Sequence, residues 1–431
     1  MSDPRILYIS SANFSRGPGA IAWTHVSHLR EEGYDVDVLT LNYQVEHPDF
    51  LCVYGRSIIS RIKRRINYFI KSHLRKKLPE SPYFFYYKDE LNPPVSVNSV
   101  LRRIKKPYDL VIIYFWQEML SFKTVEAIYD RLNNPIVFFL AADYSHMSGG
   151  CHFTGGCQRY QIGCGCCPAF NSHDENDFTH RNVVYRQRFY KKVRPIIVGS
   201  NSYMMSFYKK SFLIKDAIFE KGVPGFDSSQ FHPIDKGLLR TKYNISNEVN
   251  FIIGFGCQKL TDPRKGVSYL IEALNKLYCS LTDENKRNIL VVSIGASFEE
   301  ISTSIPFQSL GLGTIPYAEL SEFYSLLDIF VCSSVDDAGP SMVLQSISCG
   351  TPVVGFEMGA VLDYVKGKGT GYCAKMKDAD DLVNGMDKYF RLTVNERQAV
   401  SKKCRDIVVN EYKYSKKIQS WINIYHKYAG G

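Results

Sequence analysis

No apolar run in the chain approaches the roughly 18 residues that would cross a bilayer, and the opening MSDPRILYIS does not resemble a secretory leader. The sequence contains no repeat of fixed period and no low-complexity tract. A complete G-x-G-x-x-G is missing too. SRGPGA comes nearest and stops short, which counts against a nicotinamide enzyme. Acidic residues are the minority, 43 against 53 Lys and Arg, and the net charge of +10 favours a negatively charged partner. Nucleic acid, anionic lipid and phosphorylated substrates all stay open. These absences lead us to expect a cytoplasmic globular protein.

With 431 residues, 45% of them hydrophobic, the chain can bury two cores, and two domains of about 200 residues each are expected. Strands are read at residues 6–9, from 36, from 109, from 135 and from 195, with helical or polar material between them. That alternation implies a parallel sheet covered on both faces. Gly, Pro, Ser and Asp gather over residues 221–236 without apolar periodicity, as in a linker. The strand–helix pattern then restarts with FIIGF and GVSYLIEALNKLY. The expected fold is α/β, with two doubly wound Rossmann-like domains over residues 1–225 and 226–431. Such domains face each other across a cleft at the carboxyl ends of their strands. A closing helix over 414–428 places Ile418, Trp421, Ile422 and Tyr425 at helical spacing, so it needs a surface to cover and should pack back toward the N-terminal domain.

One stretch carries chemistry, VDDAGPSMVLQSISCGTPVVGF over residues 335–356. A strand ends, the chain turns, and a helix runs from about Ser341 until Gly350 stops it. Such a helix start offers backbone N–H groups and a positive dipole end to an anion. Asp337 and Gln345, eight residues apart on loop and helix, could grip two parts of one ligand. The plain alternative is an ordinary helix start with Asp as its cap.

Asp337, Gly339, Pro340, Ser341, Met342, Gln345, Ser346, Cys349, Gly350, Thr351 and Pro352 together resemble the donor-sugar motif of retaining glycosyltransferases of family four, which have the GT-B fold. The version is that of the bacterial subfamily building surface polysaccharides of the colanic acid, O-antigen and capsule type. The resemblance implies that Asp337 meets the donor sugar and that backbone N–H groups around Ala338, Gly339, Pro340, Ser341 and Met342 meet the diphosphate. Gln345 stands where the family has a second Glu for the ribose. A second block, GFGCQKLTDPRKGVSYLIEAL, resembles the family's strand, basic loop and helix, with Gly256 ending the strand. Lys265 is the matched lysine, and Arg264 its bidentate neighbour. Cys257 replaces an Arg, so Lys259 or Arg264 must substitute. Gly17 and Gly19 fit the family's glycine loop below the phosphates. Asp143, ending FFLAAD, falls where a polar residue lies beneath the sugar, while Ala142 occupies a histidine's place and His146 is a candidate to compensate. Gly359 and Ala360 would lie near the sugar, with Asp363 a structural helix residue.

The segment 147–170 also resembles a subfamily insert, with Cys151, Cys157, Cys164 and Cys167 matched and His152 and Cys166 nearby. Four thiolates there could enclose a structural Zn²⁺, and inert or paired thiols are the alternative. Residues 56–78 hold nine Lys or Arg and no acid, with Ile58, Ile62, Ile66, Phe69, Ile70 and Leu74 along a helical stripe. That is either a solvated basic face or a helix lying on an anionic membrane; no reader motif for nucleic acid accompanies it. We therefore expect a retaining hexosyltransferase, peripheral to the inner face of the cytoplasmic membrane. It would use a nucleotide-diphosphate sugar and a lipid-linked glycan acceptor, with Asp143, Arg264, Lys265 and Asp337 as catalytic residues, and no metal or other cofactor for catalysis. Four departures, Ala142 for His, Cys257 for Arg, Asp337 for Glu and Gln345 for Glu, keep a second reading open, an impaired binding or scaffold protein on the same fold; a sugar epimerase or phosphorylase is the third.

Overall fold

The computed structural model describes residues 3–15, 17–74, 90, 93, 95–199 and 201–430. Two compact units divide the chain: residues 1–200, 204–223 and 415–431 form the first, residues 201–203 and 224–414 the second. Each is built on a parallel sheet.

In the first unit the strands are β1 (Ile6–Ile9), β2 (Val36–Asn42), β3 (Leu51–Tyr54), β4 (Leu110–Ile113), β5 (Ile136–Leu140), β6 (Ile196–Gly199) and β7 (Ile218–Lys221), in the order β3-β2-β1-β4-β5-β6-β7. β1, β4 and β6 are uninterrupted apolar runs with every residue buried. Helices cover both faces of such strands, so neither face can carry polar side chains. The chain steps outward from β1 to β3, then returns to the other side of β1 with β4, creating a topological switch point between β1 and β4.

The second unit repeats this plan with β8 (Phe251–Lys259), β9 (Ile289–Ala296), β10 (Gln308–Gly311), β11 (Ile329–Cys332), β12 (Val353–Phe356) and β13 (Gly371–Ala374), ordered β10-β9-β8-β11-β12-β13. Its switch point lies between β8 and β11. Period-two alternation sends Ile252, Val292 and Phe330 into one core beside Val343 and Ile347. Phe251, Ile253, Val291 and Val331 enter the other, beside Leu270, Leu274 and Leu277 of the helix Val267–Ser280.

The expected closing helix is Tyr414–Ala429, and residues 415–431 count with the first unit. Its Trp421, 2% exposed, meets the His25 ring at a centroid distance of 5.0 Å. The basic helix is described over Ile58–Leu74. Residues 75–78 and the side chains of Ile70 and Leu74 lie outside the described residues.

Candidate functional site

Two loops meet at the carboxyl ends of β8 and β11, beside the switch point where open α/β sheets take ligands. After β8 the chain makes a short turn, Pro263–Lys265, capped by Asp262, whose carboxylate accepts the Arg264 N–H at 3.0 Å. Gly266 then adopts φ +60°, and a Cβ there would stand 2.0 Å from the Ser333 carbonyl oxygen. Only glycine lets the loop press so closely onto the end of β11. Backbone bonds close the junction. The Val335 N–H donates to the Arg264 carbonyl at 2.8 Å, and the Ser333 hydroxyl donates to the Lys265 carbonyl at 2.9 Å.

Side chains extend the same connection. Lys265 is ion-paired with Asp337, and Arg264 with Asp262 at 2.7 Å. Burial opposes the charge on Lys265, but the Asp337 carboxylate outweighs it and holds the ammonium above its usual pKa. For Asp337, burial acts upward and Lys265 reverses it, leaving the carboxyl below its ordinary range. The other Asp337 oxygen accepts the Gly339 N–H at 3.1 Å. These two cations and two carboxylates sum to no net charge, so the loop is not the open cationic surface that the spacing alone suggests.

Helix Ser341–Ser348 starts after Pro340 and ends before Gly350, as expected. Gln345 is 3% exposed and accepts the Tyr324 hydroxyl proton at 2.8 Å; Tyr317 is a second hydrogen-bond neighbour. Asn201 donates to the Ala338 carbonyl at 2.9 Å, and the space it fills leaves no room for a Cβ at Gly339. Asp363 accepts from the Ser202 N–H at 3.0 Å and from the Ser202 hydroxyl. Gly256 is a packing residue, since a Cβ there would meet Ile294 at 2.4 Å. Lys259 is exposed at the end of β8. The Cys257 thiol, pushed up to about 11 by burial, donates to the Lys259 carbonyl.

In the first unit, Gly17 takes φ +52° in open surroundings, whereas Gly19 is required by the chain itself: a Cβ would stand 1.7 Å from the Asn13 carbonyl oxygen. Asp143 follows β5 and is 2% exposed. It caps the turn Tyr144–His146 through the Ser145 N–H at 2.8 Å. Its second oxygen accepts from Gln117 at 2.8 Å and pairs with His152 Nδ1 at 2.7 Å. Burial acts to raise the Asp143 carboxyl, but His152 overrides it and holds the group well below the usual range. Behind this cluster Arg186 is buried, donating to Glu90 and, at 2.8 Å, to the Ser145 carbonyl. His146 instead packs among Trp116, Phe139 and Tyr208. His152 pairs directly with Asp143, while His146 acts on the same carboxylate only through its charge. The position of His152 next to a matched cysteine was the only sequence hint of a role; the pairing nine residues back leaves no periodic signal.

Cys151, Cys157, Cys164 and Cys167 line one small cavity, and Cys166 does not. All are free thiols. Among the described residues no three His, Cys, Asp or Glu side chains converge as they stand at metal-holding geometry. On the helix Ile58–Leu74, Ile58, Ile59, Ile62, Ile66 and Phe69 are each at least 50% exposed. Arg61, Lys63, Arg64 and Arg65 are exposed beside them. No helix among the described residues is long and apolar enough to cross a membrane.

Comparison with known proteins agrees with the architecture. Residues 240–406 match the family model for glycosyl transferases group 1. A lipopolysaccharide 1,2-N-acetylglucosaminetransferase of Salmonella typhimurium is 20% identical over 54% of this chain and 60% of its own. The chain spans 42 to 60% of the length of the curated relatives it matches. Among solved structures, sucrose-phosphate synthase of Thermosynechococcus elongatus superposes with a TM-score of 0.64 at 13% identity, over 99% of this chain and 100% of that one. HepE of Anabaena in complex with UDP-glucose gives 0.61 at 12% identity, over 98% and 99%. The chain has the GT-B fold, and its residues 240–406 resemble a glycosyl transferases group 1 domain.

Proposed function

We propose that this protein is a retaining glycosyltransferase of family four that moves a hexose from a nucleoside diphosphate sugar to a lipid-linked glycan in surface-polysaccharide assembly. The observation that carries the reading is the locking of the Arg264–Lys265 loop onto the loop that opens the helix Ser341–Ser348, at the switch point of one sheet. In this reading the diphosphate seats at that helix start, where dipole and backbone N–H groups favour an anion. Its oxygens take over the contacts that Asp337 and Asp262 make with Lys265 and Arg264. As the sugar–phosphate bond breaks, the two cations hold the growing charge. Asp337, relieved of Lys265, accepts from sugar hydroxyls. The departing phosphate takes the acceptor's proton on the same face, so no protein nucleophile and no metal is used. Asp143, its charge secured by His152, is the first unit's candidate catalytic carboxylate. The amphipathic basic helix lies on the anionic inner face of the cytoplasmic membrane, where a lipid-linked acceptor is found.

A solved neighbour holds UDP-glucose, which makes it the first donor to try. Purified chain is screened by thermal shift against a panel of nucleotide sugars. At least one should raise the melting temperature, and Lys265→Ala should abolish the shift. If no nucleotide or nucleotide sugar moves the melting curve of a folded sample, the reading fails.

The second reading, an impaired binding protein, is favoured by Gln345 and by the paired state of both cations. Gln345→Glu separates the two. An impaired enzyme gains donor turnover, and a scaffold stays silent.

A further inference from the structure

Residues 147–177 are held together by unusual means. The segment contains no regular element beyond the short turns Arg159–Gln161 and Pro168–Phe170. It bends through positive φ at Gly150, Gly155, Gly156, Gly163 and Gly165, and also at Cys164 and Cys166. A stretch so poor in backbone ladders needs some other crosslink to keep one conformation. At its centre, Cys151, Cys157, Cys164 and Cys167 surround a cavity of about 20 Å³, room for one small particle. The Gly149 N–H points at Cys164 Sγ, at 3.3 Å, and the backbone N–H groups of Ala169 and Phe170 bond the Cys167 sulfur. Such N–H donors are the partners that a thiolate requires. Arg159 also lines the cavity and is the cation set against an anionic centre here, since Arg186 is paired with Glu90 and the Asp177 carboxylate acts on Cys164 and Cys167 in the opposite sense.

We propose that Cys151, Cys157, Cys164 and Cys167 bind a single Zn²⁺ as a structural tetrathiolate that fastens this segment. Four thiol protons leave to solvent as the ion enters, and the resulting charge of −2 is met by the guanidinium of Arg159 and the N–H donors on sulfur. The sulfurs reach the 2.3 Å or so of a Zn–S bond by rotating inward about their side-chain torsions. Cys166, adjacent in sequence and outside the cavity, takes no part. His152 follows Cys151 directly, so the ion also fixes the strand of chain from which His152 reaches Asp143.

The test uses the full chain purified without chelators from zinc-supplemented medium. Elemental analysis should find one zinc per chain, released by a mercurial thiol reagent. Exchange with Co²⁺ should give thiolate-to-metal charge transfer and the visible bands of tetrahedral cobalt. Cys164→Ser should weaken zinc retention by about tenfold or more, while Cys166→Ser and the remote Cys279→Ser keep a full equivalent. If Cys164→Ser does not fold, the cobalt spectrum of the unaltered chain and the Cys166→Ser result decide alone. A metal-free chain that takes up no Co²⁺, disulfides among these four cysteines, iron with inorganic sulfide, or equal zinc in Cys164→Ser and the unaltered chain would each overturn the proposal.

Discussion

At Lys265 and Asp337 a partly buried cation meets a buried carboxylate, and removing the lysine leaves that carboxylate uncompensated, at about 1–3 kcal/mol. Lys265→Met should therefore lower the denaturation midpoint as well as donor binding, whereas Lys265→Met with Asp337→Leu should recover stability without recovering binding; urea titration beside calorimetry separates the two effects. Asp143 gives a pH signature. Its carboxyl lies below its unfolded value near 4, so its contribution is complete above about pH 5 and is lost as pH falls through 4 and below. Asp143→Asn should flatten the acid limb of the stability curve while leaving its shape above pH 5 unchanged, as read by melting temperature between pH 2 and 7. For Gln345→Glu, hydrogen bonds to a charged acceptor exceed those to a neutral one by about 1 kcal/mol, so affinity for a nucleoside diphosphate should rise about fivefold if a ribose hydroxyl is the partner. The identities at 337–352 were legible because that motif is continuous in the chain. The pairings Lys265–Asp337, Asp143–His152 and Gln345–Tyr324 were not, because each is a choice of rotamer that no local sequence pattern records.

The helix Val267–Ser280 shows how an element holds this loop in place. Leu270, Leu274 and Leu277 are fully buried on its inner face, so Leu274→Ala should cost about 3 kcal/mol by leaving a cavity, measured by chemical denaturation. Of the apolar stripe on the helix Ile58–Leu74, the described Ile58, Ile62, Ile66 and Phe69 lie exposed, and the amphipathic basic pattern was legible from spacing and charge alone. Liposome flotation should show binding to vesicles rich in anionic phospholipid and little to neutral ones, with Ile62→Ser and Ile66→Ser together reducing it severalfold and raised salt weakening it. Lys417 on the helix Tyr414–Ala429 lies 3.0 Å from His25 Nε2 and beside the Trp421 ring, with Tyr8 bonded to the other His25 nitrogen and His28 acting on the same imidazole. Burial pushes its ammonium down to about 7. Between about pH 7 and 10.5 the unfolded chain binds the extra proton, so stability rises with pH across that window and the burial penalty is constant below it. Lys417→Met should flatten this rise and lift the melting temperature at pH 7 by a few degrees. That helix was legible as amphipathic, whereas a lysine on its covered side was not, since no local pattern marks which cation turns inward.

Across the whole molecule, two sheets with a switch point each were readable from the alternation of apolar runs with amphipathic ones, because burial on both faces leaves a parallel strand little compositional freedom. The short β3, β7, β10 and β13, at or near sheet edges, carry weaker signals and none of them stands out in the sequence. Hydrogen exchange with and without a saturating UDP-sugar should show new protection at residues 262–266 and 335–345, and ligand at 100 times its Kd adds about 2.7 kcal/mol to the unit that binds it. One arrangement has a bearing on how the protein is made. Residues 415–431 belong to the first unit, and Trp421 and Ile422 from that segment are among its covered side chains. A ribosome adding ~5–20 residues per second completes residue 223 some ten to forty seconds before it reaches 415. Throughout that interval the seven-stranded unit lacks Trp421 and Ile422, and the apolar surface they cover stays open to water until the helix Tyr414–Ala429 is made.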